Sequence, residues 1–130
     1  MVAARGILAV VTLLVINHAF AADANRAYRV RAIDAVATCA ALNHAKAKVK
    51  QQDDWGDLYG FSLYTQGYLT AINRMAYDTY DIAGRKNTKT VMVWLEGYCK
   101  EHPEDSFDLA LSRMVAEIYP QRRTVATKSN

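Results

Sequence analysis

The sequence predicts an all-α fold, and three observations predict it. Four segments repeat apolar residues at i, i+3, i+4 and i+7, the spacing that gathers them on one helix face. No segment after the N-terminal leader alternates apolar and polar residues between hairpin turns, as a half-buried strand would. The two prolines, Pro103 and Pro120, both stand at the ends of those helical segments. The predicted architecture is a small four-helix domain stapled by one disulfide and preceded by a cleaved signal peptide. With 130 residues, 52% hydrophobic and 22% charged, the chain has the profile of one globular domain. The expected divisions are a signal peptide over 1–21, a helical domain over 22–120 and a flexible tail over 121–130.

The leader comes first. Arg5 is the only charge before Asp23, residues 6–16 are apolar, and Ala19-Phe20-Ala21 supplies a small-x-small cleavage pattern. A membrane span needs about 17–25 apolar residues. This run is shorter and ends at Asn17-His18, so cleavage after Ala21 is expected rather than an anchor. The expected location is the bacterial periplasm. No later run is long enough to span a membrane. Removing Arg5 leaves 15 basic side chains against 13 acidic ones, a net charge of +2. A balance so near neutral gives no electrostatic case for nucleic acid.

The first helix is expected over 34–50, with Asp34 as N-cap and Val36, Cys39, Ala40 and Asn43 on its inner face. Lys46, Lys48 and Lys50 suit its C-terminal end, where the helix dipole favours cations. Residues 51–54 read as a loop. The second helix is expected over 54–77, with a stripe of Phe61, Tyr64, Tyr68, Ile72 and Met75 that Trp55, Leu58 and Tyr59 widen. Gly60 and Gly67 lie inside it, where close helix approach would account for them. Loop 80–87 follows. The third helix, 88–101, carries Val91, Trp94, Leu95 and Tyr98 inward and stops near His102, because the residue before a proline is pushed out of the α region. The fourth is expected to open at Pro103, a favoured first helical position. Its apolar face is Phe107, Ala110, Leu111, Met114, Val115 and Ile118, and Pro120 ends it. The core is therefore expected around Phe61, Tyr68, Ile72, Trp94, Leu95, Phe107, Leu111 and Val115.

Cys39 and Cys99 are the only cysteines. An even count in an oxidising compartment favours pairing over two buried free thiols. Closing a loop of that length contributes about 4 kcal/mol in the chain-entropy model, large beside the ~5–15 kcal/mol of a small domain. A catalytic thiol has no support, since no C-x-x-C motif exists and neither His44 nor His102 lies in a motif that makes it a base.

Other chemistry-bearing residues form no known constellation. Neither His44 nor His102 lies in an H-E-x-x-H pattern, so no metal site is expected. Ser62, Ser106 and Ser112 lack a G-x-S-x-G context. Asp53, Asp54 and Asp57 read as a solvated first turn rather than an acid–base pair. Tyr64, Tyr68, Tyr77 and Tyr80 fit core packing with hydroxyls at the surface, or the lining of a ligand groove. Arg85-Lys86-Asn87 with Lys89 forms a basic patch at a helix start, suited to an anion or simply solvated. No enzymatic activity, cofactor or metal is expected.

The segment Trp94-Leu95-Glu96-Gly97-Tyr98-Cys99-Lys100-Glu101-His102-Pro103-Glu104-Asp105-Ser106-Phe107 resembles the second-cysteine region of the HdeA and HdeB periplasmic acid-stress chaperones. Thr38-Cys39 is similar to the Thr-Cys that places that family's first cysteine, although the spacing between the two cysteines is longer here. Gly67-Tyr68-Leu69-Thr70-Ala71, His102-Pro103-Glu104, Ala110 and Tyr119-Pro120 resemble the Rap/Tai immunity proteins, which neutralise type VI secretion amidases. Gln121 stands where that family has a terminal cysteine. Residues 67–115 also look like small secreted proteobacterial proteins of no stated role.

The first resemblance implies a non-enzymatic, HdeA-like periplasmic protein-binding or protective module. The alternative is an immunity or inhibitor protein that blocks a secreted cell-wall amidase or other effector. Expected partners are client proteins or one cognate effector, or a second copy of the chain. For the inhibitor reading the candidate partner-binding residues are Tyr80, Asp81, Arg85 and Lys86 in loop 80–87, since Arg and Tyr are favoured at binding hot spots and Gly84 permits a tight turn.

Overall fold

The computed structural model describes residues 28–32 and 36–126. The leader with its cleavage pattern, Asp34 and residues 127–130 lie outside the described residues. Four helices follow one another: α1 (Cys39–Gln52), α2 (Gly56–Met75), α3 (Thr88–Glu101) and α4 (Phe107–Ile118), with a 3₁₀ turn at Tyr119–Gln121. Cys39 and Cys99 form a disulfide with Cα atoms 4.7 Å apart, tying the first residue of α1 to the last turn of α3. Among the described residues no helix is long and apolar enough to cross a membrane.

The starts of α1 and α4 lie later than the sequence expectation, and one piece of local structure accounts for both. α1 opens at Cys39, with Thr38 as N-cap accepting from the Ala41 amide. Its first free amides find partners in the link between α3 and α4: Cys39 N–H donates to the Asp105 carbonyl and Ala40 N–H to that of Pro103. Phe107 N–H returns a bond to the Ala37 carbonyl. Pro103 therefore opens a turn that caps α1, not a helix. α4 begins four residues later, capped by Ser106 accepting from the Leu109 amide. The first helix also runs through Gln52, ending on Asp53 in the left-handed region at φ 53°. The second helix is shorter than expected at both ends.

The core is Val36, Leu42, Ala45, Phe61, Ile82, Val91, Met92, Leu95, Phe107, Ala110, Leu111, Met114 and Ile118 around the disulfide. Phe61 and Phe107 meet edge to face with ring centres 4.8 Å apart, a favoured aromatic geometry. Tyr68, Ile72, Trp94 and Val115 are partly buried against this cluster rather than inside it. On α1 the buried face is Cys39, Leu42 and Ala45, while Ala40 is exposed and Asn43 is half-buried, its amide donating to the Cys99 carbonyl at 2.8 Å. On α2 the expected stripe is too wide: Trp55, Tyr59 and Met75 are 58%, 64% and 72% exposed. Neither Gly60 nor Gly67 serves close helix approach. A Cβ at Gly60 would make an ordinary 3.5 Å contact with Val36, and one at Gly67 would meet nothing within 4 Å.

Candidate functional site

Two surfaces stand out, one toward each end of α2. The first is the end of the molecule built from loop 76–87 and the C-terminal segment. Ile82 anchors the loop by burying its side chain completely, and its amide donates to Asn73 Oδ1 on α2 at 2.7 Å. Asp81 turns the chain by accepting from the Ala83 amide. Gly84, at φ 65°, continues that turn in a conformation disfavoured for residues with a Cβ.

Residues 119–123 then clasp the loop. Tyr80 and Asp81 amides donate to the Arg123 carbonyl, and the Arg123 amide donates to the Asp81 carbonyl. The Arg123 guanidinium sits 3.0 Å from Asp81 Oδ2 and lies 5.3 Å from the centre of the Tyr80 ring. Lys86 Nζ donates to Gln121 Oε1 at 2.6 Å. Arg122 stacks 4.1 Å over Tyr119 and donates to the Asp78 carbonyl. The start of the segment expected to be a flexible tail is thus hydrogen-bonded into the fold.

Of the four loop residues singled out, Asp81 and Lys86 are occupied by the chain's own C-terminal segment. Tyr80 is half-exposed beside Arg123, and Arg85 is exposed. Tyr77 is 91% exposed next to them. Arg122 and Arg123 pair with Asp78 and Asp81, while Arg74 and Arg85 are exposed. The tyrosine series does not line one groove. Tyr64 and Tyr68 pack toward Phe107 and the N-terminal segment, where the Tyr28 hydroxyl donates to Asp108 at 3.0 Å. Burial, reinforced by the nearby Asp108 carboxylate, pushes the Tyr68 hydroxyl up to about 12.

The second surface escaped the sequence reading. A groove of about 490 Å³ runs between the start of α2 and the outer face of α3. Trp55, Leu58 and Tyr59 form one wall, and Met92 and Val93 the other. The Trp55 indole is held in place by its Nε1–H, which donates to Asp53 Oδ1 at 2.8 Å. An ion pair between Lys46 and Glu96, 3.0 Å long, bounds the groove on the α1 side. Thr88 and Lys89, both exposed in the first turn of α3, bound another side. The available signal was that Trp55, Leu58 and Tyr59 extend the apolar arc of α2 beyond what one small core can cover.

The acidic group before α2 is spent on structure. Asp53 and Asp54 fix Trp55 and the Gly56 amide, and Asp57 pairs with Lys48 at 2.7 Å. That hydrogen-bonded ammonium holds the Asp57 carboxyl below its ordinary value. His102 lies against the Tyr98 ring at 4.5 Å. Among the described residues no group of His, Cys, Asp and Glu is arranged to hold a metal ion. No protein-family model, curated protein or solved structure matches this chain.

Proposed function

We propose that the chain is a non-enzymatic, exported protein-binding module of the inhibitor or immunity type, acting in its folded state through the loop 76–87 end. The observation that carries this reading is the clasp. Loop 80–87 is bonded on one side to α2 and on the other to residues 121–123, while Tyr77, Tyr80 and Arg85 stay accessible. A loop already held in place loses little conformational entropy when it binds, and Tyr and Arg are the side chains that dominate hot spots. Asp81 and Lys86 serve by positioning the loop.

The test is affinity capture at pH 7 with the mature protein. One stoichiometric partner is expected, and Tyr80→Ala combined with Arg85→Ala is expected to lose it while the fold survives. Undiminished capture by that double variant, or capture of no partner from the exported proteins of the source cell, overturns the reading.

A second reading, an HdeA-like module that protects client proteins in acid, draws support from a different observation. Three of the helix pairs in contact share a polar tie through a carboxylate: Lys48–Asp57 for α1 and α2, Lys46–Glu96 for α1 and α3, Trp94–Glu117 for α3 and α4. The Lys48–Asp57 and Lys46–Glu96 ties are ion pairs, and an ion pair is lost once its carboxylate is neutralised.

A further inference from the structure

We infer that the α2–α3 groove binds a single-chain amphiphile with an anionic head group, its tail along Trp55, Tyr59 and Val93 and its head at Lys89. This site is separate from the loop 76–87 end and does not depend on the function proposed for it.

Four observations carry the assignment. The volume, about 490 Å³, lies within the range of small-molecule sites, about 300–1,000 Å³. The walls are apolar and aromatic, yet Trp55, Tyr59 and Val93 are each more than half exposed, so water covers surface that a hydrocarbon tail would bury favourably. The main wall is preformed, since Asp53, itself fixed as the α1 C-cap, fixes the Trp55 indole. Charge then selects the head group. Lys46 and Glu96 neutralise one another at 3.0 Å, which leaves the exposed Lys89 ammonium to set the sign of the rim. The positive end of the α3 dipole adds to it. A neutral or cationic head gains nothing there. The groove thus couples a hydrocarbon slot to one cationic corner, and a carboxylate or a phosphate head satisfies both.

Trp55 reports occupancy directly. In a Trp94→Phe background it is the only tryptophan of the chain, and its emission is expected to shift to the blue as dodecanoate is added below its micelle concentration. Dodecyl phosphate is expected to behave alike, and dodecyl maltoside, with the same tail and a neutral head, to bind at least ten-fold more weakly. Lys89→Gln should weaken dodecanoate about ten-fold and leave the maltoside unaffected. Val93→Asp should abolish both, with circular dichroism confirming the fold. Equal binding of anionic and neutral amphiphiles, or unchanged dodecanoate affinity in Lys89→Gln, overturns the assignment of the head group. No emission shift with any of the three probes overturns the site. A groove that is instead covered by a second copy would show a Trp55 shift with protein concentration alone, and that result also overturns it.

Discussion

At the scale of single residues, two glycines make opposite predictions from the same substitution. Gly84 needs its positive φ, and a Cβ there would stand 2.5 Å from the Gln121 carbonyl oxygen. Backbone cannot swing aside as a side-chain tip can. Gly84→Ala is therefore expected to lose about 1–2 kcal/mol from the left-handed conformation alone, and more from displacing the clasp. Gly67 lies inside α2 with open space around its Cβ position, so Gly67→Ala should gain about 0.5–1 kcal/mol. Urea denaturation of the two variants checks both signs, and amide exchange at Tyr80 and Arg123 should quicken only in Gly84→Ala. Ser106→Ala removes the cap of α4 and should cost about 1 kcal/mol, again read from the urea midpoint.

At the scale of elements, the clasp and the disulfide separate cleanly. Arg123→Ala removes the guanidinium that pairs with Asp81 and lies near Tyr80. Faster exchange confined to loop 80–87 is expected, with the helices unchanged. Reducing Cys39–Cys99, or replacing both cysteines by Ala, should lower stability by about 2–5 kcal/mol, and thiol titration of the unfolded, unreduced protein should find no reactive thiol. The elements themselves were unevenly legible in the sequence. The third helix has its expected bounds; its stop is a local signal, His102 before Pro103, and in the structure its start is capped by Asn87. The start of the fourth was misplaced because Pro103 and Ser106 are each good openers, and only the tertiary demand of the α1 amides decides between them. The loop was legible as a loop, but its partner was not. Asp81 and Arg123 are 42 residues apart, and nothing local in either stretch announces the pairing. The groove was hidden for a related reason. An apolar arc on α2 shows how much surface wants cover, not how far α1, α3 and α4 extend to cover it.

At the scale of the whole molecule, pH acts in two directions. Tyr68, raised to about 12 by burial, favours the folded state below its unfolded value of about 10. That contribution disappears as pH rises from about 10 to 12, and Tyr68→Phe should flatten the alkaline loss seen in thermal melts. Asp57 works the other way. Its carboxyl is held down by Lys48, so its contribution is full above about 4 and vanishes as pH falls through its lowered value. Exposed pairs of this kind contribute little singly. The larger acid effect is collective: over residues 22–130 the charge goes from +2 to about +17 as carboxylates and histidines take up protons, and self-repulsion opposes the compact state. The disulfide holds α1 to α3 through this change, whereas α2 and α4 have no covalent tie to the rest beyond the chain itself. Acid should therefore release α2 and α4 first, baring Phe61 and Phe107 together. Near-ultraviolet circular dichroism and dye binding should register that release below about pH 4, earlier at low salt than at high salt. If the protective reading holds, suppression of client aggregation should appear over the same pH interval and be absent at pH 7. Release without suppression would leave the protein acid-labile but not protective, and a native spectrum persisting at pH 2 would remove the physical basis of that reading altogether.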